Sequence, residues 1–211
     1  MTDLIETRGQ SKRPLILASK SPRRQELLQL CGESFTVITA DLDEAAVVVD
    51  VKEANQEQPF DLIAVKIVMA LAKEKALKVL EMNPEAVIIG ADTIVTIDEK
   101  ILGKPASEAE AYEMLHQLSG RKHSVLTGVS ILSKGREETF YSCAKVCFYP
   151  WDSDSEELVK RYIATGSPFD KAGGYGIQDM GALLVERIEG DFYTVMGLPV
   201  AEVYRYLKKI R

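Results

Sequence analysis

The stretch Leu15-Ile16-Leu17-Ala18-Ser19-Lys20-Ser21-Pro22-Arg23-Arg24 reads in two halves. Residues 15–18 form a short apolar run of the kind that makes a buried strand. Ser21 suits a helix N-cap and Pro22 the first helical position, so a helix is predicted from there to about Leu30, ending near Gly32. A strand followed by a tight turn and a helix N-terminus presents unsatisfied backbone N–H groups, a geometry that binds phosphate. Arg23 and Arg24 fall in the first helical turn, where the positive end of the helix dipole makes a cation mildly unfavourable. An anionic ligand relieves that cost, and guanidinium forks match phosphate oxygens. The plainer alternative is two solvent-facing arginines on an ordinary capped helix.

Outward from this stretch, strands and helices intermix. Residues 35–39 read as a second strand that leads into the acidic Asp41-Leu42-Asp43-Glu44. Residues 45–60 lack clear periodicity and read as a loop. Asp61 can cap a long helix reaching about Met82. Residues 87–91 form the next buried strand, ending at Asp92-Thr93, and residues 94–97 continue extended into a turn at 98–100. Ser107 with Glu110 makes a capping box for a helix that ends before Gly120. Residues 123–132 and 139–149 alternate as two strands around a turn at 133–136. Another helix starts at residues 153–157 and stops at Gly166, and a glycine-rich loop occupies 172–176. Residues 183–188 and 192–195 read as a hairpin around Glu189-Gly190-Asp191. A last helix starts near Pro199 and ends in Lys208-Lys209, a favourable charge at a helix C-terminus. This mixture, with no repeat and no low-complexity linker, predicts a mixed α/β fold. It occupies residues 14–211 as one domain behind a flexible tail over residues 1–13.

Composition narrows the function. With 211 residues and 46% hydrophobic content the chain can build a substantial core. Its net charge of −6 argues against a general nucleic-acid binder, which needs excess basic residues. Cys31, Cys143 and Cys147 follow no disulfide framework, which suggests free thiols in a reducing compartment. With only His116 and His123 beside them, no four-ligand zinc set forms. The N-terminal segment lacks the apolar core of a signal peptide, and no apolar run reaches the length of a membrane span. The expectation is a cytoplasmic protein.

Several further residues invite chemistry. Lys75 sits in the apolar arc of the 61–82 helix, amid Ala64, Val68, Leu71, Ala72, Val79 and Met82, away from the charged side. A lone lysine there must snorkel, pair or serve a ligand. Asp92 is read as the end of an apolar strand, and ligands of α/β sheets bind at carboxyl ends of strands. If it converged with Glu44 or Asp43, the pair would suit a Mg²⁺ shared with substrate phosphates. Otherwise Asp92 is a turn residue and Asp43-Glu44 a solvated loop. Lys104 lies in a constrained loop, Gly103-Lys104-Pro105, and can reach a phosphate. Glycines 173, 174 and 176 allow a backbone to approach a ligand closely, and Gln178 offers both a donor and an acceptor to a base edge. No Walker A pattern occurs, which argues against a P-loop fold.

Taken in order, these pieces resemble the Maf family. They are Leu17-Ala18-Ser19-Lys20-Ser21-Pro22-Arg23-Arg24, Ala72-Lys73-Glu74-Lys75-Ala76, Gly90-Ala91-Asp92-Thr93, Gly103-Lys104-Pro105 and Leu118-Ser119-Gly120-Arg121. Asp170-Lys171-Ala172-Gly173, Tyr175-Gly176-Ile177-Gln178 and Val195-Met196-Gly197-Leu198-Pro199 complete the series. The resemblance implies an inosine triphosphate pyrophosphatase-like fold: an elongated central mixed sheet flanked by helices, in two lobes with a deep cleft. It implies a nucleotide pyrophosphatase that cuts between the α- and β-phosphates with a divalent metal, Mg²⁺ or Mn²⁺, and a homodimer. By the same resemblance Ser19, Arg23, Arg24, Lys75 and Lys104 contact the triphosphate. Glu44 and Asp92 hold the metal and activate water, with Asp92 as proton acceptor. Arg23, Thr93 and Gln178 set base preference and look like the branch acting on dTTP, UTP and modified uridine nucleotides. Two rivals stay open: a nucleotide-binding regulator of cell division without catalysis, and a pyrophosphatase for damaged purine nucleotides such as ITP.

Overall fold

The computed structural model describes residues 13–210, so the expected tail lies outside the described residues except for Arg13. In chain order the elements are β1 (Leu15–Leu17), α1 (Pro22–Gln29), β2 (Thr36–Val37), α2 (Glu44–Glu53), α3 (Phe60–Met82), β3 (Val87–Ile97) and β4 (Lys100–Leu102). Then follow α4 (Glu108–Leu118), β5 (Lys122–Ser133), β6 (Arg136–Phe148), α5 (Ser153–Ala164), β7 (Val185–Glu189), α6 (Phe192–Met196) and α7 (Val200–Ile210). Short 3₁₀ turns at Ser167–Asp170, Ala172–Gly174 and Met180–Leu184 lie between α5 and β7.

The strands form one sheet in the order β2-β1-β3-β5-β6-β7, with β4 also on β3. β1 runs parallel to β2 and β3, while β3, β5, β6 and β7 pair antiparallel, so the sheet is mixed as expected. On one edge β3 pairs with β5 over residues 88–96. On the other edge β1 covers residues 87–89 and β4 covers 95–97. Among the described residues, 90–94 between them have no strand partner on that edge.

The side chains sort by the period-two alternation of a strand. On one face Ile89 and Ala91 join a core with Leu17, Leu28, Leu198 and Val203. Farther along that face Val95 and Ile97 join a second core with Leu115, Phe148 and Tyr162. Thr93 lies between the two. On the opposite face Ile88 and Ile94 belong to separate clusters, both built against α3. Between them lie Gly90 and Asp92. α3 approaches closely here because Gly90 and its neighbour strand's Gly128 carry no side chain. A Cβ at Gly90 would stand 2.1 Å from the Ala72 carbonyl oxygen, and one at Gly128 2.3 Å from that of Val68. The sheet thus has two cores on each face, divided at the level where β3 loses its edge partner.

Some local readings need correction. Residues 45–60 are not a loop: α2 covers 44–53, started by the Asp43 carboxylate, which accepts a hydrogen bond from the Ala46 N–H. It buries no residue fully, so its apolar residues show no core-facing stripe to read. The expected hairpin at 183–195 is half right. β7 pairs with β6, but residues 192–196 form the helix α6, capped by Asp191 on the Thr194 N–H and closed by Gly197. Five residues are too few for periodicity to separate helix from strand. Asp61 sits inside the first turn of α3 rather than at its cap, which is Pro59. Ser107 caps α4 as expected, while Glu110 accepts from the Ala106 N–H instead of closing the box on Ser107. Asp92 is not at a strand end but in the middle of an 11-residue strand. No helix among the described residues is long and apolar enough to cross a membrane.

Candidate active site

A cavity of about 960 Å³ opens where β3 lacks its edge partner. The missing strand is what lets Asp92 and Thr93, on opposite faces of the sheet, line one space. All nine residues singled out from the sequence line it: Ser19, Arg23, Arg24, Glu44, Lys75, Asp92, Thr93, Lys104 and Gln178.

On the α3 face, Lys75 reaches Asp92 at 2.5 Å and Glu44 at 2.8 Å. The lone lysine of the apolar arc therefore pairs. The Asp92 side chain is 12% exposed and that of Glu44 56%, so the first is at the floor and the second at the mouth. Two carboxylates converge although 48 residues separate them in sequence, because α2 and α3 pack side by side above β3. The ammonium between them is itself a cation held by two acidic oxygens. That donor set is hard and all-oxygen, which suits Mg²⁺ or Mn²⁺. Among the described residues no cluster of three or more His, Cys, Asp or Glu side chains forms a metal cage. An ion here would complete its coordination with water and substrate phosphates, the usual habit of Mg²⁺.

On the other face Arg24 is neither solvent-facing nor an unoccupied fork. Its Nε donates to the Gly197 carbonyl at 2.8 Å. Its Nη1 donates to Ser19 Oγ at 3.1 Å and to the Ala91 carbonyl at 2.8 Å, and its Nη2 to Thr93 Oγ1 at 3.0 Å. The bond to Ala91 serves a β3 carbonyl at the unpaired edge. Burial lowers the guanidinium pKa, opposed by the nearby Asp92 carboxylate, and an arginine stays charged regardless. Behind Thr93, the Thr127 hydroxyl stands at 2.9 Å and itself donates to the Thr194 carbonyl at 2.8 Å.

The rim is built differently. Ser21 occupies the N-cap of α1, but its side chain makes no capping bond, so the helix N-terminus faces the cavity without a side-chain cap. Arg23 donates to the Asp170 carboxylate at 2.8 Å. Lys171, buried, donates to the same carboxylate at 2.6 Å and to the Ser167 carbonyl at 2.7 Å. Burial raises the Asp170 pKa, but the hydrogen bonds from Lys171 and Arg23 outweigh it and hold the carboxyl below its ordinary value. Lys104 and Gln178 are exposed on the far wall. The Gly173 N–H donates to the Gly103 carbonyl at 2.9 Å, tying the lysine loop to the glycine-rich segment.

Asp170, Lys171 and Thr127 were not singled out as site residues, and Val48 and Val49 of α2 also line the cavity unforeseen. Asp170-Lys171 opens the glycine-rich segment already singled out, so its position was a usable signal. Thr127-Gly128, a polar and a small residue between Val125-Leu126 and Val129, was another.

Comparison with known proteins gives concordant results. The family model described as Maf-like protein matches residues 14–210. A Bacillus cereus protein named dTTP/UTP pyrophosphatase is 44% identical over 205 residues, covering 97% of this chain and 94% of its own length. Proteins of the same name from Bacillus cytotoxicus and Bacillus pumilus are each 48% identical over 194 residues, covering 92% of this chain and 94% and 95% of their own.

Proposed function

The chain belongs to the Maf-like family, and from that premise we propose that it is a nucleoside triphosphate pyrophosphatase. Its substrates are dTTP, UTP and modified uridine triphosphates, which it hydrolyses to the monophosphate and pyrophosphate, cleaning the nucleotide pool. The substrates follow from the names of relatives that cover nearly the whole chain. The chemistry rests on one observation above all: a single ammonium, Lys75, holds Glu44 and Asp92 together inside a cavity rimmed by Arg23 and Lys104.

In this reading Asp92 orients a water and takes its proton as the oxygen attacks the α-phosphorus. The bond from that phosphorus to the bridging oxygen breaks, and pyrophosphate leaves with the electron pair. Lys75, Arg23, Lys104 and the uncapped N-terminus of α1 stabilise the charge on the phosphates. Ser19 faces the same phosphates, and Arg24 fixes Ser19 and Thr93 in position. Glu44 and Asp92 would hold Mg²⁺ or Mn²⁺, which supplies Lewis acidity and neutralises phosphate charge. Gln178, Thr93 and Arg23 face the base. A cavity of this size falls in the range of small-ligand sites. Residues 14–211 act as one domain, in a cytoplasmic homodimer that engages no nucleic acid and no membrane.

Pyrophosphate release from a panel of canonical and modified triphosphates, with Mg²⁺ or Mn²⁺ and with EDTA, tests the reading. Metal-dependent release fastest from dTTP or UTP is expected. Fastest release from ITP would keep the enzyme and discard the base assignment. No release by folded protein would leave a nucleotide-binding regulator.

A further inference from the structure

The polar groups behind Thr93 form a chain with a fixed direction. A carbonyl oxygen only accepts, so the single proton of the Thr127 hydroxyl goes to Thr194. Thr93 and Thr127 stand opposite each other across β3 and β5, with their hydroxyls 2.9 Å apart. With the Thr127 proton already committed, that bond is donated by Thr93. A guanidinium only donates, so the contact from Arg24 Nη2 uses one lone pair of Thr93 Oγ1. The Thr93 hydroxyl has its proton turned away from the cavity and one lone pair left. Thr127 is fully buried and does not line the cavity.

We propose that Thr127 is a specificity-positioning residue, which fixes Thr93 as an acceptor-only contact and thereby selects nucleobases that present a ring N–H. The inference rests on the reading of the cavity as a nucleotide site and deepens it. Uracil and thymine carry a proton on N3, whereas cytosine presents a lone pair there. A freely rotating threonine hydroxyl would serve either base by turning its proton. Gln178 cannot make the distinction alone, because its amide offers both a donor and an acceptor. A lone pair facing a lone pair leaves both unsatisfied in a partly closed site, which is penalised much more than a missing contact. Discrimination against cytidine nucleotides is therefore written into the far side of the sheet.

The test is binding, measured by calorimetry with α,β-imido analogues of UTP, 4-thio-UTP and CTP, which are not cleaved at that bond. The wild-type protein should bind the two uridine analogues alike and the cytidine analogue about 100-fold more weakly. Thr127→Val should narrow that gap to about tenfold, chiefly by strengthening cytidine binding, since the Thr93 proton becomes mobile. Thr127→Ser keeps the hydroxyl and should keep the gap. Equal binding of uridine and cytidine analogues by the wild type would overturn the inference, as would an unchanged gap in folded Thr127→Val or a gap lost equally in Thr127→Ser. Should the valine variant not fold, the wild-type and serine measurements still decide. Selective binding without pyrophosphate release in the parallel assay would sink the hydrolase reading alone, and release from UTP and CTP alike would sink this one alone.

Discussion

Asp92 and Thr93 are consecutive residues of β3 that face opposite sides of the sheet and meet opposite kinds of surroundings. On the Asp92 side there are charges in small number: two carboxylates on one ammonium, one of the acids half open to solvent. Their partners can be exchanged for a substrate's. On the Thr93 side the hydroxyl protons of a continuous chain, from Arg24 through Thr93 and Thr127 to Thr194, already go to protein acceptors. That side offers a ligand a Thr93 lone pair whose role is already fixed. The difference separates two tasks that share one cavity. Reacting groups keep weakly committed partners, while groups that read shape and polarity are locked by the fold.

If that division is real, damage on one side should appear in turnover and on the other in stability. Asp92→Asn should lower turnover by at least about 1,000-fold. It should leave the protein folded, because its amide oxygen still accepts from Lys75 and Glu44 remains. Pyrophosphate release set beside a thermal melt reads both, and normal turnover would refute the role. Arg24→Lys should cost stability as well, because its bonds hold the fold together around Ser19 and Thr93. It deletes the planar fork and several buried bonds, for a loss of about 3 kcal/mol and a melting point about 8 °C lower. Arg23→Lys, whose one side-chain partner among the described residues is the largely exposed Asp170, should shift the melt by no more than about 2 °C. Equal melts for the two variants would erase the distinction between neighbouring arginines.

A smaller effect sharpens the same contrast away from the cavity. His123 is buried, bonded through Nε2 to the Tyr175 hydroxyl at 2.8 Å, and its Nδ1 has no hydrogen-bond partner among the described residues. Burial pushes its pKa down to about 3. The unfolded chain protonates this histidine near pH 6.5 and the folded one does not. Its contribution is therefore intact above pH 6.5 and erodes as pH falls toward 3. At pH 5 the erosion is about 2 kcal/mol. Urea melts at pH 7 and pH 5 should show His123→Phe losing correspondingly less over that interval, and an identical loss would remove the titration from His123.

Sequence reading reached the elements with strong local signals. The apolar runs at 15–18 and 87–91 are strands, and the pattern from Asp61 to Met82 is a helix, as read. All nine expected site residues line one cavity: the lysine on an apolar arc and the arginines at a helix start were oddities in their own elements, while Ser19 and Thr93 were legible only through the family resemblance. Two kinds of information were missing. α2 went unread because its apolar residues face a cavity rather than a core, so no stripe marks it. The commitments of Arg24, Thr93 and Thr127, apart from the local bond between Arg24 and Ser19, went unread because they join residues 34 to 173 positions apart. Local pattern carries no trace of a partner that distant.

β3, β5 and α3 run unbroken beneath both pairs of cores, with α3 seated on Gly90 and Gly128. Two domains on a linker close a cleft by rotation, and the linker's freedom sets the gap. Here three continuous members act as a stiff keel, and the gap is set by how far the sheet twists between its ends. The width of the socket is therefore an elastic property of the backbone, tunable from behind. A methyl group added at either glycine would pry α3 off the two strands and change the spacing between Lys75 and Asp92 without touching either.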